Sequence, residues 1–99
     1  MSYASITIWQ VLTNLETLDH VTDLMQRKYL PGLRSLGAER SMVVDIGLDR
    51  FAIVTMYPTK EVRDEALEHI TQLRSEGAEE FGAALMDAYA GNVLAQMPW

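Results

Sequence analysis

The chain has no cysteine, which excludes disulfides, thiolate metal sites and a cysteine nucleophile, and fits a reducing compartment. Basic residues are scarce, with 8 Lys and Arg against 14 Asp and Glu and a net charge of −6. A surface that tracks nucleic-acid phosphates or anionic lipid headgroups needs the opposite sign, so neither nucleic acid nor a membrane is an expected partner. No apolar run approaches the ~20 residues of a membrane span, and the start Met1 to Thr7 has neither the basic flank nor the apolar core of a signal peptide. The expected location is cytoplasmic. Histidine occurs only at positions 20 and 69, without a His-x-x-x-His spacing, so no metal site is expected. A Gly-rich phosphate loop, a Gly-x-Ser-x-Gly turn and a basic strand interleaved with aromatics are also missing, and no cofactor is expected.

What is present is apolar. Hydrophobic residues make up 48% and charged residues 22%, with three prolines, which is the composition of a packed globule rather than a disordered chain. A chain of 99 residues buries about two-thirds of its unfolded surface, enough for a single core, so one domain is expected over 1–99.

The chain is arranged around the stretch from Arg40 to Tyr57, two β-rich runs joined by a break at Gly47 to Asp49, which predicts a hairpin. Before it, Ser5 to Leu12 predicts a strand, and Thr13-Asn14-Leu15-Glu16 offers a capping box. Leu15, Leu18, Val21, Met25 and Tyr29 then recur at helical spacing, with a kink expected at Pro31 and an end at Gly37. After the hairpin, Thr59 is the expected N-cap of a second helix, whose buried stripe is Val62, Ala66, Ile70 and Leu73. Gly77 is expected to stop it. A further helix is expected over Glu79 to Ala90 with Phe81, Leu85, Met86 and Tyr89 inward, and a last strand over Asn92 to Met97.

This order predicts a ferredoxin-like α+β fold, a four-stranded antiparallel sheet with helices on one face. On the first strand and on both hairpin strands, both faces carry large apolar groups. The face without helices therefore needs cover, and a homodimer packed sheet against sheet is expected.

The Trp9-bearing first strand, the run Ile53-Val54-Thr55-Met56-Tyr57-Pro58-Thr59-Lys60, and Gly91-Asn92-Val93-Leu94 resemble the dimeric α+β barrel superfamily and, within it, small proteins similar to antibiotic-biosynthesis monooxygenases. The resemblance covers nearly the whole chain and rests on element order and apolar pattern more than on invariant residues. It implies a dimeric α+β barrel with a pocket between sheet and helices. It also implies an activity such as cofactor-free oxidation of a small aromatic or quinol substrate. Haem degraders of the superfamily use an Asn, Trp and His set. Here Tyr57 stands at the strand end where their Trp lies, and Trp9 or Gln10 near their Asn, so the set is not reproduced.

Three residues are candidates for catalysis: His69, Tyr57 and Trp9. His69 adjoins the buried Ile70 and could move a proton to or from a phenol near pH 7, or could simply pair with Glu65 and Gln72 at the helix boundary. Tyr57 and Trp9 could line a pocket and donate hydrogen bonds to a substrate oxygen, or could anchor the core or a subunit interface. Arg40 and Arg50 flank the hairpin as candidates to orient an anion, and the methionines could line an adaptable cavity or fill gaps. The alternative to an oxygenase is a non-catalytic homodimeric module that binds a small apolar or aromatic ligand or serves in an assembly.

Overall fold

The computed structural model describes residues 1–12 and 18–97. Alternation of side chains along the first strand, β1 (Tyr3–Val11), sends Tyr3, Ser5, Thr7 and Trp9 into the interior and leaves Ile6 on the other face. Helix α1 (Leu18–Leu24) runs into a π-helical turn (Met25–Tyr29) and then α2 (Leu30–Ser35), and its expected stripe of Val21, Met25 and Tyr29 is buried. The irregular turn precedes Pro31, whose missing N–H removes one helical bond in the following turn. The capping box at Thr13 to Glu16 lies outside the described residues. Gly37 ends this helical stretch at φ 103°, a left-handed conformation that favours glycine.

The hairpin forms as β2 (Arg40–Gly47) and β3 (Arg50–Tyr57). Leu48 and Asp49 both have positive φ, 56° and 58°, which is the backbone of a type I′ turn. The Asp45 carboxylate accepts from the Gly47 N–H at 2.9 Å beside the turn. Thr59 caps the next helix as expected, its hydroxyl accepting from the Val62 N–H. Helix α3 (Lys60–Glu65) passes through Ala66 into α4 (Leu67–Phe81).

The chain after α4 departs from the expectation of a helix over 79–90. Gly82 takes the left-handed conformation and ends α4, and Ala83–Asn92 is the fourth strand, β4. Phe81 is buried as expected, but Leu85, Met86 and Tyr89 are exposed on the strand. Their helical spacing is overridden by pairing with β1 along its whole length, with a register shift at Ile8 and Trp9. The strand expected over 92–97 is not formed there, since β4 ends at Asn92; Val93 still donates to the Ser2 carbonyl. Gly77 does not stop a helix. It lies buried within α4, where a Cβ would sit 3.0 Å from the Phe81 ring.

The sheet is antiparallel, in the order β2-β3-β1-β4. The helices pack on one of its faces through two clusters. One joins Trp9, Phe51, Phe81, Tyr29, Met25 and Val21; the other joins Tyr57, Ile70, Ala66 and Ala38. Trp9 and Phe51 are stacked ladder partners, and Phe81 meets both edge-on. Among the described residues, no helix is long and apolar enough to cross a membrane.

Candidate functional site

A cavity of about 50 Å³ lies at the seam between the two clusters, with the sheet as its floor. Ser5, Thr7 and Trp9 of β1 and Ile53, Thr55 and Tyr57 of β3 line it because the two strands put these residues on their helix-facing side. Ile70, Leu73, Arg74 and Gly77 of α4 form part of its roof, and Met25 and Tyr29 of the π-turn close a side. A dry engineered cavity that binds benzene measures about 150 Å³, so this one suits a smaller molecule.

The floor is polar in its middle. Ser5 pairs with Thr55 and Thr55 with Ser41 across three strands, which lines up three hydroxyls. The Ser41 and Thr55 hydroxyls are 2.8 Å apart. Arg74 reaches down from α4 and donates from Nη2 to Ser5 Oγ at 3.1 Å. The Trp9 indole N–H donates to Thr7 Oγ1 at 2.8 Å, so it is already engaged within the strand.

Trp9 and Tyr57 both line the cavity, but they bracket it. Trp9 pairs with Phe51 and Tyr57 with Tyr3, which sets them six residues apart along the ladder, roughly 20 Å of strand. One small ligand therefore meets the aromatic end or the Tyr57 end, with the hydroxyls between. Burial raises the Tyr57 pKa above the usual phenol value, against the opposing pull of Arg74 and Arg63. The hydroxyl is therefore a neutral donor at pH 7. Desolvation pulls the Arg74 pKa down, assisted by neighbouring Arg63 and opposed by Tyr57, yet a guanidinium remains charged in that range.

His69, the third candidate for catalysis, is placed outside the cavity that Tyr57 and Trp9 line. Its neighbour Ile70 takes the buried position, and one residue is about 100° of helix rotation, so His69 is exposed. It lines a separate groove on the outside of the molecule with Ser35, Gln72 and Glu76. Arg50 is exposed too, with Nε donating to Gln10 Oε1 at 2.8 Å beside the hairpin turn. No Asp, Glu or His lines the cavity among the described residues. Nor do three or more His, Asp or Glu side chains gather there into a metal-holding group.

Sequence reading missed Arg74, Ser5 and Thr55. The signal available was a charged residue in step with the buried stripe, since Arg74 lies four residues after Ile70 and three before Gly77. The accompanying signal was a row of small hydroxyls on the same strand faces as Trp9 and Tyr57.

The arrangement of sheet and helices matches solved structures over the full chain. A crystal structure described as a dimeric ferredoxin-like protein from an uncultured marine organism superposes with a TM-score of 0.72 at 15% identity, covering 100% of each chain. The fold is ferredoxin-like. A second dimeric ferredoxin-like protein from an uncultured marine organism gives a TM-score of 0.69 at 9% identity, covering 97% of this chain and 98% of its own. No protein-family model matches the sequence, and no curated protein matches it.

Proposed function

We propose that this chain is a homodimeric binding protein, which associates through its open sheet face and holds a small ligand between the sheet and the helices. The observation that carries the reading is the contrast between the two faces of the sheet.

On the open face, Met42, Val54, Ile6 and Tyr89 form one cross-strand row, and Val44, Ala52, Ile8 and Asp87 form the next. Met42 is 53% exposed and Tyr89 59%. Fully burying a large apolar side chain is worth about 1.5–3 kcal/mol, so covering the exposed Met42, Val44, Ile6 and Tyr89 with a second copy is favourable, with Asp87 left at the edge-strand end of its row. Rows containing Arg40 and Arg50 flank them, which gives an apolar centre and a polar rim. The two similar structures are described as dimeric, which supports the same reading.

On the helix face, the cavity supports binding better than oxidation. Cofactor-free attack of oxygen on a phenol needs a base beside the substrate to form the phenolate. Among the described residues the lining supplies hydroxyls, an indole already bonded to Thr7, and a guanidinium, none of which is a base at pH 7. The antibiotic-biosynthesis-monooxygenase reading therefore lacks a proton acceptor where its substrate would sit.

Trp9 is a natural reporter of occupancy. In a Trp99→Phe background it becomes the sole tryptophan, and small alcohols, acids and phenols can be titrated against its fluorescence while oxygen uptake is followed in parallel. Saturable fluorescence changes without oxygen consumption are expected. Oxygen turnover that is lost in Tyr57→Phe would overturn the binding reading in favour of the oxygenase.

A further inference from the structure

Among the described residues, the charge that lines the cavity has no counter-charge. Arg74 is half-buried in a protein whose net charge is −6, yet among the described residues it makes no ion pair. Its cationic neighbour Arg63 is held by Asp64 on the helix surface at 3.1 Å and keeps a buried Nε with no hydrogen-bond partner. The Asp64 carboxylate is therefore engaged outside the cavity, while the guanidinium that lines it rests on one neutral hydroxyl. A half-buried charge in that condition keeps part of its desolvation cost unless an anion accompanies it.

Donors converge at this end. Ser5 accepts from Arg74 and so keeps its own proton to give, Tyr57 presents a neutral hydroxyl, and the Arg74 fork has further N–H groups. At the opposite end the walls are Met25, Phe81 and Trp9. Polar donors at one end and hydrocarbon at the other describe an amphiphile with an anionic head.

We infer that the cavity is a site for a short-chain monocarboxylate, its carboxylate on Arg74, Ser5 and Tyr57 and its hydrocarbon directed toward Phe81 and Trp9. This inference rests on the reading of the cavity as a ligand site. A guanidinium fork matches the two oxygens of a carboxylate. One cation inside the cavity balances one negative charge, which favours a carboxylate over a phosphate dianion. The volume of about 50 Å³ selects an acid of only a few carbons.

The test is calorimetric titration of the full chain at pH 7 with propionate, propionamide, propan-1-ol and inorganic phosphate. Propionate is expected to bind best, and to bind about tenfold or more weakly to Arg74→Gln, because a charge-assisted bond is lost. Tyr57→Phe is expected to weaken it several-fold, and thermal unfolding confirms that both variants are folded. Equal binding of propionate and propionamide, or propionate binding unchanged in Arg74→Gln, overturns the inference. So does preferred binding of phosphate. If propan-1-ol or propionamide binds and propionate does not, the carboxylate assignment fails while the ligand cavity stands. If none of the four probes produces heat, both fail.

Discussion

Arg74 Nη2 lies 3.1 Å from Ser5 Oγ and ties α4 to the first strand across 69 residues of chain. The bond is neutral on one side, so it offsets little of the desolvation that the guanidinium suffers. Replacing such a charge by an apolar group of similar length is often neutral or stabilising. Arg74→Met is therefore expected to leave the ligand-free protein equally stable or up to about 1 kcal/mol more stable in urea unfolding. A loss of about 2 kcal/mol would mean that Arg74 is a structural tie and not a binding group.

Phe81 is the side chain on which the aromatic cluster closes. It meets Trp9 and Phe51 edge-on and lies 4.9 Å from the Tyr29 ring centre. Phe81→Ala is expected to cost about 3–5 kcal/mol, because the ring leaves a void between sheet and helix that neither can collapse into. Denaturant midpoints compared with wild type measure this, and a cost below about 1 kcal/mol would contradict the packing described.

Gly77 gives a test whose sign is set by competing magnitudes. Alanine gains up to about 1 kcal/mol over glycine within a helix. Its Cβ would stand 3.0 Å from Phe81 Cε2 and 3.7 Å from Tyr29 Cε1, against rings already fixed by the cluster. Crowding of that kind costs about 1–3 kcal/mol, so Gly77→Ala is expected to destabilise slightly. A clear rise in Tm would show that the rings yield.

Glu80 makes stability depend on acid. Its hydrogen bond from Lys28, then that from the Tyr29 hydroxyl, hold its pKa below the ordinary 4.5. A carboxylate with a depressed folded pKa contributes stability that is fully present above its unfolded value and is lost as pH falls through the folded one. Glu80→Gln should therefore be less stable than wild type near neutral pH, and the difference should shrink as pH falls below 4.5. Urea midpoints measured across that range check it, and a difference that grows on acidification would contradict the assignment.

Local signals in the sequence carried the elements whose chemistry is local. The β-rich runs about Gly47 to Asp49 became β2 and β3, and Thr59 caps α3 through its own hydroxyl. Where a partner elsewhere in the chain decides, local pattern is not enough. Leu85, Met86 and Tyr89 have helical spacing, but β1 offers a long edge to pair with and Gly82 breaks the helix before them. The candidate site divides in the same way. Trp9 and Tyr57 were visible as large aromatics on strands and do line the cavity. His69 was one helix position from the face it needed. The role of Arg74 is not legible locally, because it depends on Ser5 lying beneath it, 69 residues away in the chain.

The open face is where the account is tested most directly. Val54 and Ile6 are ladder partners at the centre of its apolar rows, on strands flanked on both sides. Sedimentation equilibrium of the wild-type chain and of Val54→Asp at micromolar concentration should give twice the 11.2 kDa chain mass for wild type and a single chain mass for the folded variant. A wild-type chain that sediments as a monomer at that concentration would contradict the account.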